Sequence, residues 1–138
     1  MSGKLTTHVL DTANGCPGKG VVIALWKIDS NSEVDSKTLL KTTKTNHDGR
    51  TDEPLLAGEE LQTGVYELVF TVGNYFARYS DYPDTQLGAR PTWSRTPGRS
   101  HPLFLDQIPI QFGISNTQAD YQVPLLVSPW SYSTYRGS

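Results

Sequence analysis

The sequence predicts an all-β protein built as a two-sheet β-sandwich. Three observations lead to this prediction: seven or so short segments have strand composition, turn residues separate them, and only one segment favours a helix. The 138 residues are predicted to form one domain, residues 1–138, and a chain of this size buries roughly 68% of its unfolded surface on folding. That is enough for a real core.

Four strands are predicted in the first half of the chain. Residues 5–10 are rich in strand formers, and the turn residues of 11–20 follow them. Residues 21–28 are apolar on both faces, which predicts a buried strand. Residues 39–45 form the next strand, and residues 65–72 alternate in the way a half-buried strand does. The alternation of this fourth strand puts four side chains on one face: Tyr66, Leu68, Phe70 and Val72.

The second half begins with the only predicted helix. Residues 74–79 lack strand alternation, and their first residue, an asparagine, is suited to the N-cap position. Residues 81–102 contain four prolines and two glycines, which predicts an irregular surface excursion. Residues 108–114 then alternate as a strand, and residues 121–127 and 130–135 are predicted to close the chain as a hairpin. The aromatic residues of this last segment are predicted to lie in the core: Trp130, Tyr132 and Tyr135.

Composition and charge exclude several classes of protein. The net charge of -2 argues against a nucleic-acid-binding protein, and no apolar run is long enough to span a bilayer. The N-terminus lacks the apolar core of a signal peptide, and the single Cys16 cannot form an internal disulfide. We therefore predict a cytoplasmic protein, with peroxisomal import as the alternative, although the chain does not end in a peroxisomal Ser-Lys-Leu type signal. The histidines and the cysteine show no zinc spacing and no Gly-rich phosphate loop is present, so no metal or cofactor is predicted.

Strand parity identifies which side chains share a face within each strand, and no local spacing joins the candidates of different strands into one site. His8 lies in an apolar and hydroxyl-bearing strand and could act as a general base, the alternative being a half-buried structural histidine. In the last two strands, Gln122 and the pair Ser133 and Tyr135 are further candidates. Arg50 follows the turn at 48–49 and could clamp a carbonyl or carboxylate, the alternative being an exposed loop arginine.

The end of the chain is itself a candidate for part of a site. The predicted last strand runs straight into Tyr135-Arg136-Gly137-Ser138, which leaves no room for a frayed tail. We therefore expect the terminal carboxylate and the Arg136 guanidinium to lie close to the folded body.

Two stretches of the chain resemble a known family. Residues 5–15 (LTTHVLDTANG), together with Pro17 and Gly20, resemble the N-terminal signature of the transthyretin-like 5-hydroxyisourate hydrolases. The segment from Val123 to Ser138 resembles their C-terminal signature, so the resemblance covers nearly the whole chain. Transthyretin itself, the hormone carrier, departs from the terminal tetrapeptide. The excursion, at about 81–103, is longer than in the bacterial members and resembles the fungal ones.

This resemblance implies a function and an assembly. The family fold is a two-sheet β-sandwich with one short helix, which assembles as a homotetramer, a dimer of dimers, with two sites in a central channel. The family reaction is the ring-opening hydrolysis of 5-hydroxyisourate, a product of urate oxidation, without metal or organic cofactor. His8 would activate water, and Arg50 and Arg136 would hold the substrate. The matching site residues are His8, Arg50 and Ser138 for catalysis and Ser133, Tyr135, Arg136 and Gly137 for substrate binding.

One position departs from the family pattern. The family has Tyr-His before Val-Pro-Leu-Leu, whereas this chain has Tyr121-Gln122. Glutamine can donate and accept hydrogen bonds but cannot transfer a proton at neutral pH. The resemblance therefore implies either a hydrolase slowed at Gln122 or, as the alternative, a transthyretin-like small-molecule binding protein without catalysis. A structural β-sandwich module without a site is the third hypothesis.

Overall fold

The strands form two sheets in the computed structural model, which describes residues 3–29, 36–80 and 103–137. The first sheet contains β1 (Lys4–Asp11), β2 (Cys16–Pro17), β5 (Leu56–Ala57), β8 (Tyr121–Val127) and β9 (Tyr132–Thr134). The second contains β3 (Val22–Asp29), β4 (Ser36–Lys44), β6 (Gly64–Thr71) and β7 (Gln107–Ile114). Their orders are β2-β1-β8-β9, with β5 also pairing with β1, and β4-β3-β6-β7. The predicted β-sandwich is confirmed.

Strand β1 is the organising strand of the first sheet. It pairs in parallel with β8 from Leu5 opposite Tyr121 to Asp11 opposite Val127. Its other edge receives β2 and β5, each only two residues long and antiparallel to it. The predicted turn region at 11–20 thus contains a short strand. The edge of β1 opposite β8 is left only partly covered by strands.

The core lies between the inward faces of the two sheets. The predicted alternation of β6 is confirmed, because Tyr66, Leu68 and Phe70 are buried. The prediction that residues 21–28 are buried on both faces is wrong. Leu25 of β3 is fully buried, but Val22 is 41% exposed, because the outer face of an antiparallel sheet can face water.

The single α-helix of the described residues is α1 (Val72–Ser80), and a short 3₁₀ helix covers Gly58–Glu60. Helix α1 begins two residues earlier than predicted, so the assignment of Asn74 as its N-cap is wrong. The amides of Val72 and Gly73 donate to the carbonyl oxygen of Asp106, at 2.9 and 3.0 Å. This carbonyl satisfies two of the amides that a helix leaves unpaired in its first turn.

The aromatic residues near the chain end lie at the surface, so their predicted place in the core is wrong. Trp130 is 69% exposed and Tyr135 57%, and Tyr132 is also exposed. The hairpin of β8 and β9 is confirmed, but β9 is a short strand at the edge of the first sheet, where few side chains can cover an aromatic ring.

Most of the predicted excursion lies outside the described residues. It covers positions 81–102, and Leu103, the first described residue after it, is buried. No helix among the described residues is long and apolar enough to cross a membrane. The assignment of residues 1–138 to one domain stays a prediction.

Candidate active site

The outer face of the first sheet carries the predicted candidates from β1 and β8. In the parallel register, Thr6 lies opposite Gln122 and His8 opposite Pro124. The alternate residues point inward: Val9 is fully buried, and the Thr7 hydroxyl donates to the carbonyl of Val123 at 2.7 Å. The parallel register therefore places His8 and Gln122 on one face of the sheet, which parity within each strand could not predict.

A turn of the 46–50 segment lies directly against β1 at His8. The Val9 amide donates to the carbonyl of Gly49 at 2.8 Å, and Nε2 of His8 lies 3.0 Å from the carbonyl oxygen of Asp48. Gly49 has a φ of +80°, and a Cβ placed there would lie 2.4 Å from the Val9 carbonyl oxygen and 3.3 Å from Cδ2 of His8. Only glycine fits at this contact.

The contact with Asp48 fixes the proton of the His8 ring. A carbonyl oxygen can only accept a hydrogen bond, so Nε2 must be the donor and must carry the proton. In the neutral ring, Nδ1 then holds the lone pair. No described residue hydrogen-bonds to this nitrogen. His8 thus presents a basic nitrogen that a water molecule could reach.

A pocket of about 300 Å³ is lined by both Arg50 and Gln122. His8 does not line this pocket, although the preceding residue, Thr7, does. Within residues 3–29, 36–80 and 103–137, no carboxylate pairs with the Arg50 guanidinium, so that cation is available to a ligand. Such a cation can hold a carbonyl or carboxylate with two hydrogen bonds. The other lining residues are Lys4, Thr6, Thr7, Thr51, Asp52, Glu53 and Pro54.

The chain end is held against Gln122. The backbone amide of Gly137 donates to the backbone carbonyl of Gln122 at 2.8 Å, and the backbone amide of Gln122 donates to the carbonyl of Gly137 at 3.3 Å. A Cβ at Gly137 would lie 2.6 Å from Oε1 of Gln122, so the two residues are in close contact. The expectation that the chain end lies close to the folded body is confirmed for Gly137 and for the Arg136 guanidinium, and it stays a prediction for the terminal carboxylate. Ser138 lies outside the described residues.

The Arg136 side chain contacts Tyr121. Its guanidinium lies 4.5 Å from the centre of the Tyr121 ring, and Nη2 donates to the Asp120 carbonyl at 3.3 Å. The Tyr121 hydroxyl accepts hydrogen bonds from the amides of Ser115 and Asn116. The Ser115 side chain and then these two amides lower the pKa of the Tyr121 phenol.

Arg136 also lines a second pocket, of about 240 Å³, at the edge between the sheets. Ile110 and Phe112 of β7 line it on one side, and Tyr135 lines it on the other. Gln122 lines both pockets. In the single chain, the structure brings Arg50 and Gln122 together at the first pocket, whereas Arg136 lines only the second one.

The remaining polar candidates are placed apart from this site or on its rim. Ser133 pairs with Leu126 across the β8–β9 hairpin, which puts it on the outer face of the sheet. His47 is largely exposed and lies 3.6 Å from the Asp48 carboxylate. Among the residues that the structure describes, no group of three or more His, Cys, Asp or Glu side chains is placed to hold a metal ion.

Two residues of the site were missed by the sequence interpretation. The Asn46 side chain contacts the amides of Asp48 and Arg50, and its own amide group contacts Asp52. The signal was present, because an asparagine two residues before an Asp-Gly pair is typical of a turn in which the side chain accepts a backbone hydrogen bond.

Residues 5–137 match the model of the HIUase/Transthyretin family. The chain belongs to this family. A 5-hydroxyisourate hydrolase of Ralstonia nicotianae is 50% identical over 137 residues, which are 99% of each chain. One of Pseudomonas aeruginosa is 47% identical over 99% of this chain and 92% of its own. The structure of an (S)-allantoin synthase matches with a TM-score of 0.78 and 42% identity over 99% of this chain, which spans 44% of that longer chain.

The family assignment confirms the transthyretin-like fold that the terminal signatures predicted. The predicted fungal affiliation is not supported. The relative from Ralstonia nicotianae is bacterial and aligns over nearly its whole length, so chains of this length occur in bacteria.

Proposed function

We propose that this chain is a 5-hydroxyisourate hydrolase whose active site lies between His8, the 46–54 segment and Gln122. Two relatives that bear this name are 50% and 47% identical to the chain over nearly its full length. The observation that carries the proposal is the docking of the 46–50 turn on β1. It brings the Asp48 carbonyl to Nε2 of His8, and Arg50 lines the same pocket as Thr7, the residue before His8.

In the proposed reaction, His8 transfers the proton and Arg50 stabilises the developing negative charge. Nδ1 of His8 takes a proton from a water molecule while the water oxygen adds to a ring carbonyl of the substrate. The Arg50 guanidinium stabilises the negative charge that develops on the carbonyl oxygen. When the carbonyl re-forms, the ring C–N bond breaks, and the proton on His8 passes to the departing nitrogen. Water is consumed, and the ring opens without a further reactant.

We assign Gln122 a role in orientation. Its amide lines the same pocket as Arg50 and can both donate to and accept from water or substrate. Because it cannot exchange a proton at neutral pH, proton transfer rests on His8 in this mechanism. The activity is then expected to be slower than with a histidine at this position.

The chain end is proposed as the substrate-binding wall. Ser133 lies on the outer face of the first sheet, Gly137 is held against Gln122, and Tyr135 lines the second pocket, which Gln122 also lines. Ser138 is proposed to complete the wall. For Arg136, the contact with Tyr121 supports a role in anchoring this wall rather than direct contact with substrate in the single chain.

We infer a homotetramer, a dimer of dimers, in which two such faces meet. The exposed aromatic rings of the chain end support this inference, since Tyr132 and Tyr135 are 45% and 57% exposed in the single chain. Sedimentation equilibrium of the full chain would measure the mass. A monomer at concentrations that give full activity would contradict the inference.

The hydrolase function is tested by following the ultraviolet decay of freshly generated 5-hydroxyisourate. We expect the chain to accelerate the decay, His8→Ala to abolish most of the acceleration, and His47→Ala to leave it intact. His47 is the matched control, since it is an exposed histidine next to the same turn. Decay at the spontaneous rate with the unaltered chain would overturn the function.

The alternative is a small-molecule binding protein without catalysis. The absence of the second family histidine at Gln122 favours it. Calorimetry with urate as a stable analogue separates the two proposals. Tight binding without accelerated decay would establish the binding protein, and accelerated decay would exclude it.

A further inference from the structure

The Asn46 side chain contacts both Asp48, whose carbonyl accepts from His8, and Arg50. Its Oδ1 accepts hydrogen bonds from the amide of Asp48 at 2.9 Å and from the amide of Arg50 at 3.2 Å. Its backbone completes the turn, because its amide donates to the Arg50 carbonyl at 2.7 Å and its carbonyl accepts from the Gly49 amide at 2.9 Å. One residue thus fixes the backbone on both sides of Gly49.

The orientation of the Asn46 amide is set by Asp52. Nδ2 donates to Oδ1 of Asp52 at 3.0 Å, so the amide nitrogen faces the carboxylate and the amide oxygen faces the two backbone donors. A flipped amide would place a donor against two donors and an acceptor against a carboxylate, which costs all three hydrogen bonds. Asp52 therefore makes one rotamer of Asn46 strongly preferred.

We propose that Asn46, oriented by Asp52, is a positioning residue for the hydrolysis. It holds the Asp48 carbonyl on Nε2 of His8, which keeps the proton on Nε2 and leaves Nδ1 as the base. It also fixes the backbone from which Arg50 reaches the pocket. This inference rests on the proposed function, in which His8 and Arg50 act on the substrate.

The consequence for catalysis is a loss of alignment rather than of a reacting group. Without the Asn46 amide, the Asp48 carbonyl is no longer held at 3.0 Å from Nε2, and the neutral His8 ring can place its proton on either nitrogen. A displacement of about 1 Å at an active site can lower a rate by roughly a hundredfold. We expect kcat of Asn46→Ala to fall roughly tenfold to a hundredfold.

An exchange of donor and acceptor tests the hydrogen bond itself. Asn46→Asp alone places two carboxylates face to face and is expected to lower kcat. The double variant Asn46→Asp with Asp52→Asn restores a donor on one side and an acceptor on the other, and is expected to recover most of kcat. Asn116→Ala is the matched control, because Asn116 Oδ1 accepts a turn amide in the same way, from Gln118 at 2.9 Å. It should leave kcat unchanged.

The tautomer of His8 gives a readout that a loss of stability would not produce. In a long-range ¹⁵N–¹H spectrum of the neutral ring, the unaltered chain is expected to show a protonated Nε2 and an unprotonated Nδ1. Asn46→Ala is expected to show an average of the two forms, and the double variant to show the original pattern. Thermal unfolding of each variant confirms that the folded state is being compared.

Three results would overturn the inference. The first is a proton on Nδ1 of His8 in the unaltered chain, and the second is an Asn46→Ala variant with unchanged kcat and unchanged tautomer. The third is a double variant that stays as slow as Asn46→Asp while folded. If the unaltered chain lacks hydrolase activity, the proposed function fails, and the tautomer spectra still decide whether Asn46 positions His8.

Discussion

Replacing Gly49 by alanine is predicted to displace the turn that contacts His8 by about 1 Å. A Cβ at this position would lie 2.4 Å from the Val9 carbonyl oxygen, whereas ordinary contact begins at 3.4 Å. Val9 is fully buried within β1, so the exposed turn must make the adjustment. A retreat of this size stretches the 2.8 Å bond from the Val9 amide beyond the limit of a hydrogen bond.

The expected cost appears in both stability and rate. The positive φ of +80° costs an alanine about 1–2 kcal/mol, and the lost hydrogen bond costs about 1 kcal/mol. We therefore expect the free energy of unfolding to fall by about 2–3 kcal/mol. Because the Asp48 carbonyl and Arg50 move with the turn, kcat is expected to fall by roughly a hundredfold.

The measurements are urea unfolding and the decay of freshly generated 5-hydroxyisourate, made on the same preparations. Gly58→Ala is the matched control, since Gly58 also has a positive φ, of +61°, but no atom lies within 4 Å of a Cβ placed there. It should lose about 1–2 kcal/mol of stability and no activity. The reasoning is refuted if folded Gly49→Ala keeps its full kcat, or if Gly58→Ala loses as much activity.

Further predictions follow from four other positions. Gln122→His is expected to raise kcat by roughly 10²–10⁴-fold in the same decay assay, and an unchanged rate would contradict the role given to this position. Arg136→Ala removes the guanidinium over Tyr121, so hydrogen exchange at the backbone amide of Gly137 should become roughly two- to fivefold faster. Thr45→Val removes a buried hydroxyl with two backbone hydrogen bonds and should cost about 1–3 kcal/mol in urea unfolding, whereas Thr45→Ser should cost less. Burial raises the pKa of Tyr66 above its ordinary value of 10.0. The stability that the neutral phenol contributes is therefore fully present below pH 10.0 and is lost as the pH rises through the higher folded value. In thermal unfolding at alkaline pH, Tyr66→Phe should lose less stability with rising pH than the unaltered chain.

The sequence was sufficient to predict the faces of the strands but not the contacts between distant segments. Strand parity groups His8 with Thr6 and Gln122 with Leu126, because successive side chains of any strand alternate, but the parallel pairing of β1 with β8 is what brings the two groups together. The helix start was missed because Val72 is capped by the carbonyl of Asp106, which lies far along the chain. Local sequence carries no signal for such a cap.

The same limit applies to the site. The resemblance pointed to Arg50 as a candidate, but its placement in a pocket with Gln122 depends on tertiary structure. The contact between His8 and the Asp48 carbonyl joins residues 40 positions apart. The acceptor is a backbone oxygen, which every residue possesses, so the residue type at position 48 does not predict this contact.

The proposed catalytic turn lies against the part of the β1 edge that pairs with no strand. On the edge opposite β8, β2 and β5 pair only with the two ends of the strand. A buried amide between them, that of Val9, would cost about 1–3 kcal/mol if it lacked a partner. The Gly49 carbonyl is that partner, and the turn that supplies it also carries the Asp48 carbonyl and Arg50. The same contact therefore completes the edge of β1 and positions the proposed catalytic groups, so a change that loosens the turn should weaken both the fold and the proposed site.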